Sequence, residues 1–167
     1  MSSTNRANYS VEVLEPIIRQ AFDKHTPFKS IYKYDPVIVY GRTVNRHDYF
    51  YGVDFYFNYK GKEYTVDIKL IKKNNDNGEA TNFSVSKGTI HRELHSQQIP
   101  LDYFIFCYGD ECYICEFTNI AKWVNTLSTE DKDKVDRGRY YLIPLSIVKE
   151  YARYRFNTPQ KLYLPNL

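Results

Sequence analysis

Two stretches in the middle of the chain alternate apolar and polar positions with a period of two. They are YGVDFYFNY (residues 51–59) and EYTVDIKLI (residues 63–71). That period, with so many β-branched and aromatic residues, predicts two strands, and Lys60-Gly61 between them predicts a tight turn. A helical period precedes them. Val13, Leu14, Ile17, Ile18, Ala21 and Phe22 recur at the spacing of one helix face. Pro16 either sits in the first turn of a helix that starts near Glu15 or kinks a longer one.

Val37 to Tyr40 reads as an extended segment, and the polar GRTVNRHD after it as a turn or exposed loop. Residues 72–81 are a turn-rich polar loop, and 83–86 a short strand. Thr89 to Gln98 is a helix with Thr89 as its N-cap. DYFIFCYGDECYICEF predicts a second hairpin turning at Gly109-Asp110, then a helix capped by Thr118. A charged loop (residues 128–138), a short strand (140–143), a helix from Pro144 to about Arg155 and a tail complete the chain. Residues 1–9 are polar and read as a flexible terminus. The order predicts one α/β (α+β) domain over residues 1–167, with a central mixed sheet flanked by helices.

Composition refines this only a little. A chain of 167 residues fits one domain, and 43% hydrophobic with 26% charged residues is ordinary for a globular protein. Tyrosine stands out with 17 residues, which suits strands, half-buried faces and interfaces. The net charge of +3 permits nucleic-acid binding without requiring it, so a basic surface has to be local. No apolar run reaches membrane-spanning length, and no apolar leader opens the chain. Three cysteines, an odd number, fit a reduced cytoplasmic protein. Cys112 and Cys115 form a C-x-x-C on a predicted strand, where three positions apart means opposite faces. That geometry favours buried thiols over a metal or redox pair.

The first hairpin holds the candidate chemistry. With Lys60-Gly61 as a two-residue loop, Tyr59 faces Lys62, Asn58 faces Glu63, and the same register carried outward sets Asp54 opposite Asp67. Opposed residues share a sheet face, and Lys69 joins it two positions on. The other face, Val53, Phe55, Phe57, Tyr59, Tyr64, Val66, Ile68 and Leu70, is apolar and belongs in the core. Two opposed carboxylates repel unless something compensates. A divalent cation of the Mg²⁺ or Mn²⁺ type does so with hard oxygen ligands, and the backbone carbonyl of Ile68 is a further donor. Lys69 adds a positive charge where charge develops on a phosphate. A lone D-x₁₂-D-x-K is nonetheless a weak pattern, and a solvated hairpin face also carries Asp and Lys.

At these residues the chain resembles the PD-(D/E)XK nuclease superfamily. GVDFYFNYKGKEYTVDIKL looks like its central hairpin, with Asp54 as the first motif acid and Asp67-Ile68-Lys69 as the (D/E)-x-K motif. The upstream helix supplies Glu12 or Glu15 for the family's helical acid, with Glu15 preferred because it opens the helix. The helix and hairpin downstream of the motif fit the rest of the family core, so the resemblance runs from about residue 10 to 125. Val53 departs from the frequent Pro before the first acid. The wider order is similar to archaeal-type Holliday-junction resolvases and related small endonucleases.

The resemblance implies a restriction-endonuclease-like core and Mg²⁺-dependent hydrolysis of DNA phosphodiester bonds, structure-specific on branched DNA, with Mn²⁺ as a substitute and no small-molecule cofactor. Asp54, Asp67, Glu15 and the Ile68 carbonyl would hold the metal. Lys72, Lys73, Ser86 and Lys87 would approach the nucleic-acid backbone, with Ser84 beside them. Two-strand cleavage implies a homodimer. A sequence-specific restriction-type enzyme, and a non-catalytic nuclease-fold module that binds protein, stand as alternatives. His47-Asp48, the His91/His95 pair at zinc-compatible spacing, Gln97-Gln98 and the basic residues Lys149, Arg153, Arg155 and Lys161 are the remaining polar candidates.

Overall fold

The computed structural model describes residues 10–71, 81–92 and 99–163. The expected flexible terminus (1–9) and most of the loop at 72–81 lie outside these. A single π-helical turn, Ser10–Leu14, leads into α1 (Glu15–His25) with Pro16 in its first turn. The structure combines the two placements: α1 begins at Glu15, but Leu14 before it is itself helical (φ −78°, ψ −46°), so the chain runs continuously from the π turn through Pro16. Of the predicted apolar face Leu14, Ile18, Ala21 and Phe22 are buried and Ile17 is half-buried, but Val13 on the π turn is exposed.

Strands β1 (Lys29–Ile31), β2 (Pro36–Val39) and β3 (Arg42–Asn45) follow, then the short helix α2 (Arg46–Tyr51). The sequence reading had one extended segment and a loop here. The chain instead forms a two-stranded β2–β3 ribbon and a helix, and adds β1 at the edge of the main sheet. Neither β3 nor α2 contains a buried residue, so neither leaves a hydrophobic period to read.

The predicted hairpin is β4 (Phe55–Tyr59) and β5 (Lys62–Leu70). Its register is the expected one, with Tyr59 opposite Lys62, Asn58 opposite Glu63 and Phe55 opposite Val66. Lys60 and Gly61 both have positive φ (51° and 76°), the signature of a type I′ turn.

Next come β6 (Asn82–Ser86), α3 (Lys87–His91), β7 (Tyr103–Glu116), α4 (Phe117–Asn125), α5 (Thr129–Val135), β8 (Asp136–Arg137), β9 (Tyr140–Pro144), α6 (Leu145–Tyr151) and β10 (Ala152–Leu162). β7 pairs in parallel with β5 through Tyr103–Cys107 and antiparallel with β10 through residues 109–115. The Cys107 and Cys112 sulfurs lie 2.9 Å apart, far less than five extended residues span. The element therefore doubles back at Gly109 (φ 64°), the turn the sequence predicts.

Four expectations change. Ser86, not Thr89, caps α3, its Oγ accepting the Thr89 N–H at 3.1 Å, and Arg92 ends that helix in the left-handed region. Glu116, not Thr118, stands at the N-cap of α4. The charged loop contains α5, capped by Ser128, whose Oγ accepts the Asp131 N–H at 3.1 Å. The last helix stops at Tyr151, and the residues beyond it form β10 at the sheet edge. Arg153 and Arg155 thus lie on a strand: Arg153 pairs with Glu116 at 2.7 Å, and Arg155 lies over the Tyr113 ring.

The central mixed sheet has the order β1-β4-β5-β7-β10, and a second sheet has the order β6-β9-β8. On one face of the central sheet α1 buries Ile18 and Phe22 against Phe55, Phe57, Val66 and Ile105. On the other, Phe104, Phe106 and Tyr113 pack with Phe83 and Ile143 of the second sheet, Ile120 and Val124 of α4, and Val148 of α6. Cys112 belongs to the first cluster and Cys115 to the second, as expected for positions three apart on a strand. Both are free thiols.

Candidate functional site

β5 lies between β4 and β7, so Asp67 and Lys69 stand in the middle of the sheet. The entry to β7 fixes its register. Thr65 Oγ1 donates to the Pro100 carbonyl at 2.7 Å, and the Thr65 N–H donates to Asp102 Oδ2 at 3.0 Å.

Asp54 precedes β4 directly. Its N–H donates to the Val66 carbonyl at 2.8 Å, carrying the hairpin register one step past the last ladder pair. Its Oδ2 accepts the Ile68 N–H at 2.6 Å. The side chain thus takes the place of a backbone partner and is locked against β5, where the Ile68 carbonyl stands beyond the β4 ladder. Asp54 and Asp67 are 8% and 4% exposed, too deep for the solvated hairpin face that the spacing alone also allows.

α1 settles which helical acid reaches this place. Glu12 is exposed on the π turn, whereas Glu15 is buried and its carboxyl lies within electrostatic reach of Asp54, Asp48 and Asp67. Lys69 Nζ lies 3.1 Å from Asp67 Oδ2.

A fourth acid joins them. Asp48 sits on α2, which closes on Gly52 (φ 64°). The Gly52 N–H donates to the Asp48 carbonyl at 2.9 Å, and the Val53 N–H to the His47 carbonyl at 2.9 Å. A left-handed residue just past the helix is a position glycine favours. The turn brings the Asp48 side chain within electrostatic reach of Asp67, Asp54 and Lys69. His47 Nδ1 and the buried Tyr56 hydroxyl, 2.8 Å apart, tie α2 to β4. The sequence offered Asp48 only as an isolated polar candidate; its usable signal is the Asp48-to-Gly52 spacing, a helix end without a hydrophobic period.

The electrostatics follow from setting three buried carboxyls, Glu15, Asp54 and Asp67, and the exposed Asp48 beside one ammonium. Burial, reinforced by Glu15, Asp48 and Asp67, pushes the Asp54 carboxyl well above the usual carboxylate range. Burial and the Asp48 charge raise Glu15 to about 7. Asp48 keeps solvent contact as a residue, but desolvation of its carboxyl, with the Asp67 charge, raises it too. Desolvation works against the Lys69 ammonium, yet Asp67, Asp54 and Asp48 together outweigh it and raise its pKa. Lys69 is therefore a cation at neutral pH.

Among the described residues, no three His, Cys, Asp or Glu side chains stand in a ready metal-binding group. Asp54 instead lies within electrostatic reach of Glu15, Asp48 and Asp67. Their mutual repulsion and burial favour the protonated carboxyls while no cation is present. The set still fits a hard divalent cation in chemistry: every donor is oxygen, acids outnumber the nearby ammonium, and a cation would replace the protons.

The other candidates lie elsewhere. Ser86 caps α3, with its Oγ also 2.8 Å from Thr89 Oγ1. Lys87 Nζ pairs with Asp136 at 2.6 Å. Lys72, Lys73, His95, Gln97 and Gln98 lie outside the described residues. His91 Nε2 meets the Tyr141 hydroxyl at 2.9 Å. No described helix is long and apolar enough to cross a membrane. No family model, curated protein or solved structure matches the chain.

Proposed function

We propose that the chain is a Mg²⁺-dependent endonuclease acting on DNA phosphodiester bonds, with Mn²⁺ as a substitute metal and a restriction-endonuclease-like core. One observation carries this reading: Glu15, Asp54, Asp67 and Lys69, separated by up to 54 positions in sequence, converge on one buried place, with Asp48 added from α2. Three buried carboxyls with Asp48 at their edge do not serve a scaffold, because each buried acid is desolvated. It makes sense where a cation is to be held.

Asp54, Asp67 and Glu15 would hold the metal, with Asp48 closing the site and the Ile68 carbonyl as a further donor. Bound there, the cation supplies charge neutralisation on the phosphate and activation of water. The residues divide the remaining work. Lys69 stays protonated, so it donates to the attacking water or to the phosphate oxygens and stabilises charge as it builds. It is not the base. Glu15 is raised to about 7 in the metal-free protein; as a ligand it would be deprotonated, and the proton the attacking water loses passes to solvent. The P–O3′ bond then breaks, and solvent protonates the leaving oxygen.

Branched DNA is the preferred substrate and a homodimer the preferred assembly, since two strands need two sites. The test is incubation with Mg²⁺ and a panel of single-stranded, duplex, nicked and branched DNA and of RNA. Cleavage of at least one DNA, lost in Asp67→Ala with an unchanged circular dichroism spectrum, is the expected result. Cutting that survives Asp67→Ala would sink the site assignment.

A further inference from the structure

The β2–β3 ribbon is the part of the molecule that folding itself does not explain. It forms its own two-stranded sheet, apart from the central one. Its tip residue Tyr40 is 94% exposed and Ile38 is 76% exposed. Tyr40 also has a φ of 50°, in the left-handed region where a bulky aromatic residue is disfavoured and Asn, Asp or Gly is the usual choice. Neither burial nor turn geometry favours tyrosine there. An exposed ring held in a costly conformation points to a partner outside the chain.

The foot of the ribbon borders the acid cluster on both sides. Before it, Tyr32 lies within electrostatic reach of Glu15 and stacks on Tyr34, with centroids 6.5 Å apart and planes at 27°. The Arg19 guanidinium sits 4.6 Å over Tyr32, and Tyr34 is 63% exposed. After it, β3 passes without a break into α2 and Asp48. The foot is rigid. The Arg46 N–H donates to the Asp35 carbonyl at 2.8 Å, and Asn45 bonds both Asp35 and Lys33.

Charge selects the partner. Residues 29–47 hold Lys29, Lys33, Arg42 and Arg46 against the single acid Asp35, in a chain whose whole net charge is +3. Lys33 is met by Glu63 from β5 and Arg46 by Asp35, and the segment with Glu63 included remains positive. Exposed aromatic rings set among cations are the elements that hold bases and phosphates.

We propose that this ribbon is a base-stacking arm for DNA, with Tyr40 stacking on a base face opened by a nick, branch or bend, and the Tyr32–Tyr34 pair guiding the strand toward the acid cluster. The Tyr40 ring stands clear of the chain at the tip, where a base face already open can meet it. The proposal rests on the nucleic-acid part of the function proposed above but not on its metal.

The experiment is fluorescence anisotropy of the full chain, without divalent metal so that nothing is cut, on nicked, four-way and intact duplex DNA. Tyr40→Asn is the informative variant, because Asn suits the turn better and the fold is kept. Wild type should prefer the interrupted DNAs, and Tyr40→Asn should weaken their binding by roughly tenfold while leaving the intact duplex unchanged. Equal binding by the variant overturns the proposal, as does a Tyr40-dependent dimer on size exclusion, which would make the arm a contact between copies. Mn²⁺ binding by a wild type that holds no DNA overturns the arm and spares the metal. Tyr40-dependent DNA binding without Mn²⁺ binding does the reverse.

Discussion

The chain contains two hairpins closed by the same turn. Tyr40-Gly41 and Lys60-Gly61 have φ values of 50° and 77°, and of 51° and 76°. The β4–β5 hairpin is covered on both sides, buries Phe55, Phe57 and Val66, and holds the acids. The β2–β3 ribbon has partly or fully exposed residues throughout. The same local rule closes both loops, and context decides what each does. The first is clamped by the core, which is what lets it carry buried carboxyls in fixed places. The second is free to meet something outside.

The largest expected contrast is in stability. Phe55→Ala should cost about 3–5 kcal/mol, whereas Ile38→Ala should stay within about 0.5 kcal/mol; urea unfolding of both checks this. Similar costs would mean that the ribbon packs against something that stabilises the domain.

The pH dependence comes next. The Glu15 carboxyl is raised from 4.5 to about 7, so the folded state holds its proton more tightly than the unfolded chain does. The stability this supplies is complete below about pH 4.5 and is lost as pH rises through 7. The metal-free protein should therefore lose up to about 3 kcal/mol from this group between pH 4.5 and 8. Glu15→Gln should flatten the profile, and Mg²⁺ should restore stability at pH 8 but not at pH 5. Thermal midpoints at the two pH values give the answer, and a midpoint that rises with pH in the metal-free protein contradicts the cluster.

A smaller effect separates the turns themselves. Gly61→Ala places a side chain at positive φ and should lower global stability by about 1 kcal/mol. Gly41→Ala meets the same strain, but its cost should appear as faster amide exchange confined to the ribbon. The smallest is Tyr40→Asn, a gain of a few tenths of a kcal/mol from relief at the turn, read from the same urea curves.

The clamped hairpin was legible in the sequence because burial on one face leaves a period of two, and that period with the turn residues fixes the register. Asp54 opposite Asp67, with Lys69 two positions on, follows from it. Glu15 could be narrowed only to a pair with Glu12, since choosing between them depends on how α1 meets the sheet. Asp48 was not legible as a site residue: α2 has six residues and none buried. α5 hid for the same reason, although Ser128 with Asp131 is a readable cap. β10 leaves the pattern of a helix end and a tail because only Phe156, Thr158 and Leu162 of it are buried. Its Pro159 falls within a register shift of an edge strand, where proline is tolerated. Exposed elements leave little trace in a hydrophobic pattern, whichever role they serve.

The central claim is that the clamped hairpin holds a divalent cation. Titration of the metal-free protein with Mn²⁺, followed by electron paramagnetic resonance, tests it without any assumption about substrate. Wild type should bind Mn²⁺, and Asp67→Asn should lose that binding while keeping its fold. No bound Mn²⁺, or equal binding by Asp67→Asn, would contradict the account.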